Sequence, residues 1–125
     1  MRIVFDAGGL IGIDRHDRRV AGLIELGRRA GAGLVTVAPV IGQVWRNGAR
    51  QASLARALSM IEIRTTSIAD AQSAGTLLGL AGASDVVDAL LADHVRSGDQ
   101  VLTSDPGDLT KLLETRGTRA SIVKV

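Results

Sequence analysis

The chain of 125 residues contains no cysteine. That excludes a disulfide framework, a thiolate-held metal and a cysteine nucleophile. Only two histidines are present, His16 and His94. A three-histidine zinc site is therefore impossible, and a histidine-based triad has only these two to draw on. Aromatic residues are one Trp and one Phe, with no Tyr, too few for a base-stacking platform. Long apolar runs are missing as well. No stretch of ~20 residues is free enough of charge to span a membrane. The apolar N-terminus is cut by Asp6, so no signal peptide is expected. The expectation is a soluble, cytoplasmic protein without low-complexity tracts or linkers.

What is present fits one globular domain, residues 1–125, since domains most often run to ~100–150 residues. Hydrophobic residues make up 46% and charged residues 22%, near the globular norm, which argues against disorder. The net charge is +2 and the sequence pI about 9.9. Of the fifteen basic residues only Lys111 and Lys124 are lysine. Arginine makes the better bidentate phosphate contact, so the composition leans towards an anionic partner.

Along the chain, Arg2–Phe5 reads as a strand, followed by Asp6, two glycines and a short apolar segment to Ile13. Val20, Leu23, Ile24 and Leu26 recur with helical spacing up to Gly31 or Gly33. Leu34–Val37 is a second strand, and Pro39 fits the first position of a short helix that stops at Asn47-Gly48. Ala49–Leu58 reads as one helix and Ile61–Arg64 as a third strand. Helices are predicted over Ser67–Leu80 and Ser84–Arg96, a fourth strand over Gln100–Thr103, a helix from Asp105-Pro106 to Arg116, and a fifth strand over Ser121–Val125. Strands alternating with helices imply right-handed crossovers and a parallel sheet. The fold class is α/β, a three-layer α/β/α arrangement around five parallel strands.

In such folds ligands bind beyond the carboxyl ends of the strands. Asp6 follows the first strand and Asp105 the fourth, while Asp85 and Asp88 open the preceding helix. No glycine-rich phosphate loop follows the first strand. Each aspartate has an ordinary reading as a helix cap or first-turn acid. If the first and fourth strands are neighbours, however, Asp6, Asp88 and Asp105 converge. Carboxylates ~4 Å apart repel by ~1 kcal/mol in bulk water and ~4 kcal/mol at an effective dielectric of ~20. A cation relieves that cost, and an all-oxygen donor set favours Mg²⁺ or Mn²⁺. Such a site can serve displacement at phosphorus.

Three anchors in order, Ile3-Val4-Phe5-Asp6, Val86-Val87-Asp88-Ala89-Leu90-Leu91-Ala92 and Val101-Leu102-Thr103-Ser104-Asp105, give the whole chain a resemblance to the PIN-domain family. It is most similar to the small VapC-type toxin ribonucleases and their single-domain relatives. The resemblance implies a sheet of order 3-2-1-4-5 and an Mg²⁺- or Mn²⁺-dependent endoribonuclease that is the toxin of a toxin–antitoxin pair. It implies RNA as substrate, a cognate antitoxin, a homodimer, and Asp6, Asp88 and Asp105 as metal-holding catalytic residues. Asp85 and Asp108 are further candidate ligands. Two departures stand out. Asp6-Ala7-Gly8 lacks the hydroxyl that usually follows the first aspartate. Gln43 stands where the family usually carries a Glu. An uncharged amide there implies weaker metal binding. It also supports the alternative of a degenerate PIN domain that binds RNA or a protein without turnover.

Arg15, Arg18, Arg46 and Ser104 are candidate substrate contacts. Arg15, His16, Arg18 and Arg19 form a basic turn, for which a solvated charged turn is the simpler account. Trp45 is expected to pack rather than stack on a base, and His94 to be a surface or packing residue. A phospho-acceptor signalling domain is excluded. It requires an Asp ending the third strand and a Lys after the fifth, where this chain has Arg64-Thr65-Thr66 and a lysine inside the strand.

Overall fold

Ile3, Val4 and Phe5 form a continuous apolar run that is fully buried, the pattern of a parallel strand covered on both faces. In the computed structural model, which describes residues 1–125, this run is β1 (Arg2–Phe5), the central strand of the sheet. On one side lie β2 (Gly33–Val37) and β3 (Glu62–Arg64). On the other lie β4 (Gln100–Thr103) and β5 (Ser121–Lys124). All four pairings are parallel, and the order is 3-2-1-4-5. The edge strand β3 is exposed throughout.

Seven helices flank the sheet: α1 (Ala7–Asp14), α2 (Arg18–Arg29), α3 (Ala38–Val44), α4 (Ala52–Leu58), α5 (Ile68–Ala81), α6 (Val86–His94) and α7 (Pro106–Arg116). Their ends follow local chemistry. Asp17 caps α2 by accepting from Val20 N–H. Ser67 and Asp70 form a reciprocal capping box on α5. Gly82 and Gly117 end α5 and α7 in the left-handed conformation. Phe5, Leu10, Leu54, Leu91, Leu102 and Leu112 are fully buried at the centre of one continuous core. No single helix is long and apolar enough to cross a membrane.

The structure differs from the sequence expectations in four places. The segment after Asp6 is an eight-residue helix, α1, concealed in the sequence by glycines at positions 8, 9 and 12. Gly8 is required by contact, because a Cβ there would stand 2.7 Å from Ser104 Cβ. The expected helix Ala49–Leu58 is broken at Gln51 into a 3-10 turn, Gly48–Arg50, and α4. Gln51 is buried because its amide ties the preceding loop down. Pro39 stands second in α3, after Ala38, and that helix stops at Val44, three residues before the expected Asn47-Gly48. The helix expected over Ser84–Arg96 is shortened at both ends to Val86–His94, starting after its cap at Asp85.

Candidate functional site

The parallel register sets Phe5 opposite Leu102. Asp6 N–H donates to Leu102 carbonyl at 3.0 Å. Asp6 and Thr103 therefore leave the carboxyl ends of two adjacent strands side by side. Both are buried. Thr103 Oγ1 donates to Asp6 Oδ2 at 2.7 Å and accepts from Asp105 N–H at 3.1 Å. One hydroxyl thus joins the arm after β1 to the arm after β4. Gly8 completes the junction by letting α1 close onto Ser104.

Four aspartates occupy N-cap positions, and they divide into two kinds. Asp17 and Asp85 cap in the ordinary way, and Asp85 Oδ1 accepts from Asp88 N–H at 3.0 Å. Asp6 and Asp105 occupy cap positions but make no side-chain cap bond. These two are among the residues that the sequence singled out for chemistry.

Asp88 sits in the first turn of α6, half-buried, and its carboxylate receives no hydrogen bond. Its pKa is pushed up from 3.8 to about 7. Burial is the main cause, followed by the negative charges of Asp6, Asp85, Asp108 and Asp105. The structure therefore gathers all five acids into one electrostatic neighbourhood. Asp85, Asp105 and Asp108 lie at its exposed rim and Asp6 at its floor. As the side chains stand, no three acidic or imidazole groups come close enough together to hold one ion. The donor set itself fits a hard divalent cation, being carboxylate oxygen throughout and short of any compensating cation.

The other candidates are dispersed. Ser104 is exposed and lines a cleft with Gly8 and Arg15. Arg18 lines a separate cleft with His16 and Glu25. The Arg46 guanidinium folds back onto the carbonyls of Gly42, Gln43 and Trp45, at the C-terminus of α3, where a cation complements the helix dipole. Gln43 is exposed and lines a cleft with Arg15, Arg46 and Arg50 that contains none of Asp6, Asp88 or Asp105. Trp45, expected to be packed, is 38% exposed. Sequence reasoning missed Gln51 as the staple of the loop that carries Trp45 and Arg46. A glutamine in an apparently helical run gives no signal that its side chain is buried.

No family model matches the chain, and no curated protein matches it. Among solved structures it is similar to the crystal structure of VapBC2 from Rickettsia felis bound to a DNA fragment from their promoter. The TM-score is 0.70 at 13% sequence identity, covering 99% of this chain and 100% of that one. At that identity the likeness is one of fold, the three-layer α/β architecture described above.

Proposed function

We propose that the chain is a divalent-metal-dependent endoribonuclease of the PIN type and the toxin of a toxin–antitoxin pair. The observation that carries the reading is Asp88. It is a half-buried carboxyl without a donor, surrounded by four other carboxylates and titrating near neutrality. A fold does not maintain such a cluster for stability, because each member raises the cost of ionising the next. Asp6, Asp88 and Asp105 would hold Mg²⁺ or Mn²⁺, with Asp85 and Asp108 at the rim. A cation held there supplies Lewis acidity towards a phosphoryl oxygen and makes nearby water acidic. Thr103 fixes the Asp6 carboxylate by its hydroxyl, in a chain that has alanine directly after Asp6.

A protein partner belongs to the same proposal. The Rickettsia felis neighbour is a two-protein assembly on DNA. In this chain an apolar cleft of about 420 Å³, lined by residues including Ile24, Leu34 and Met60, offers a seat for an antitoxin segment. Assembly as a homodimer is part of the proposal too.

The test is cleavage of single-stranded RNA by purified protein in Mn²⁺, with chelator and with Asp88→Asn. The expected result is cleavage abolished by either. Activity that survives both would defeat the metal-dependent reading. The second reading, a degenerate domain that binds without turnover, is favoured by the spacing of the carboxylates, no three of which stand at ligation distance. It gains if RNA is bound but never cut.

A further inference from the structure

We propose that the cleft at the far end of α1 is a second site, which binds the phosphodiester backbone of single-stranded RNA. Arg15 and Arg50 are its cationic contacts, and Trp45, on the loop that forms one wall, is its stacking surface. The proposal deepens the nuclease reading by naming how the substrate strand is held, and it takes its choice of RNA from that reading.

The cleft measures about 420 Å³, within the ~300–1,000 Å³ range of small-ligand sites. Arg15, Gln43, Arg46, Asn47 and Arg50 contribute to its wall, with Asp14 as the one acid. None of the ion pairs in the protein involves Arg15, Arg46 or Arg50. Asp14 accepts from the Gln51 amide at 3.2 Å. Gln51 is only 6% exposed. Its carbonyl oxygen accepts from the N–H groups of Arg46 and Asn47, and its amide donates to Asp14 and to Val44 carbonyl. A buried, fully bonded amide thus clamps the Trp45–Asn47 loop to the end of α1. With Arg46 committed to the α3 carbonyls, Arg15 and Arg50 remain as unpaired cations. The Gln43 amide, and the Asn47 amide whose oxygen accepts from Ala49 N–H, add donors. A donor-rich wall on a fixed loop suits phosphate oxygens.

Position and aromatic content favour a nucleic acid strand. Asp6 stands at the N-terminal end of α1 and Arg15 at its C-terminal end. Eight residues at 1.5 Å rise put the cleft about 12 Å along the helix from the carboxylates. Arg15 also lines the adjoining cleft with Ser104, the neighbour of Asp105 in the chain. Trp45 is held against Gly48, where a Cβ would stand 2.9 Å from the indole. An exposed ring on the loop that walls a cleft with unpaired arginines is a combination suited to single strands.

The experiment is fluorescence anisotropy in chelator, with an end-labelled oligouridylate of roughly twelve nucleotides, a length within the ~4–16 nucleotides of single-strand sites. Wild-type protein should bind it with salt-dependent affinity. Arg15→Ala and Arg50→Ala should each weaken binding by about 5–10-fold and lower the salt slope by about one. Trp45→Leu should weaken it by about 5-fold with the salt slope unchanged. Gln43→Glu should weaken it while leaving Mn²⁺ affinity unaltered. Arg119→Ala, exposed and elsewhere, should bind as wild type. The site is refuted if wild-type protein does not bind, or if correctly melting Arg15 and Arg50 variants bind as tightly as wild type. It is also refuted if a polyglutamate peptide competes for the same residues more tightly than the oligouridylate, which would assign the cleft to an acidic protein segment. Because no cleavage is measured, the cleft stands or falls separately from catalysis.

Discussion

Asp99 and Asp88 lie at opposite ends of the sheet and show two treatments of a carboxylate. Asp99 precedes β4, is 3% exposed, and accepts from the Arg2 backbone N–H, the Arg2 guanidinium and Arg96 N–H. Burial alone would raise its pKa, but these donors and the Arg2 charge outweigh burial and hold it below the usual carboxylate range. Asp88, beyond the other end of the strands, has no donor and four acidic neighbours, and it moves the opposite way. At the amino end of the sheet the Asp99 charge is compensated within the chain. At the carboxyl end the acidic charge is left uncompensated. The first arrangement ties strands together, and the second makes sense when something cationic arrives.

The largest expected effect falls at the compensated end. Asp99→Ala leaves the Arg2 guanidinium, itself largely buried, without its partner, and should cost about 3–5 kcal/mol in chemical denaturation. Because its folded pKa is depressed, Asp99 stabilises the fold above its unfolded pKa, and that stability is lost as pH falls through the folded value. An Asp99→Ala penalty that is unchanged in strong acid would contradict the ion-pair account. Next comes Thr103→Val, which leaves Asp6 Oδ2 and Asp105 N–H without their shared partner. It should cost about 1–3 kcal/mol, with Thr103→Ser recovering most of it.

Asp88→Asn should act in the other direction. A carboxyl with a raised folded pKa contributes stability that is full below its unfolded value of 3.8 and lost as pH climbs towards about 7. Replacing it should therefore stabilise the protein by about 1–2 kcal/mol near pH 8, allowing for solvent screening of a half-buried group, and by nothing below about pH 4. A destabilised variant near pH 8 would remove the contrast with Asp99. The smallest effect belongs to Gln43→Glu. Gln43 is exposed and lines the arginine cleft, so metal-free stability should move by less than about 0.5 kcal/mol. A clear destabilisation would mean that residue 43 faces the acidic cluster after all.

The strands were legible because a parallel sheet covered on both faces demands short β-branched and apolar runs, and β1 and β4 coincide with Arg2–Phe5 and Gln100–Thr103. α1 was not legible, because its glycines are dictated by tertiary contacts with Phe5, Val20, Leu102 and Ser104, the last two more than 90 residues away in the chain. For the site, the order of Asp6, Asp88 and Asp105 on successive elements was enough to suggest convergence. Which aspartates cap and which do not was hidden, since Asp85 and Asp105 each open a helix with another acid three residues on. The cap bonds that Asp17 and Asp85 accept, and the lack of any at Asp6 and Asp105, separate the two kinds. Gln43 was aligned by its place in α3, but the direction of its side chain depends on the packing of α3 against α1, which one sequence does not encode locally.

The central claim is that the uncompensated end of the sheet is built for a divalent cation. It is tested most directly by Mn²⁺ titration near pH 8, following heat of binding and thermal melting in wild-type protein and in Asp88→Asn. The expected result is saturable binding to wild type. Its stability should rise by RT ln(1 + [L]/Kd), about 2.7 kcal/mol at ~100-fold excess over Kd, and its melting temperature with it. Asp88→Asn, already stabilised without metal, should respond weakly. A wild-type protein that shows neither heat nor any shift in melting, or a variant that responds as strongly as wild type, would contradict the claim.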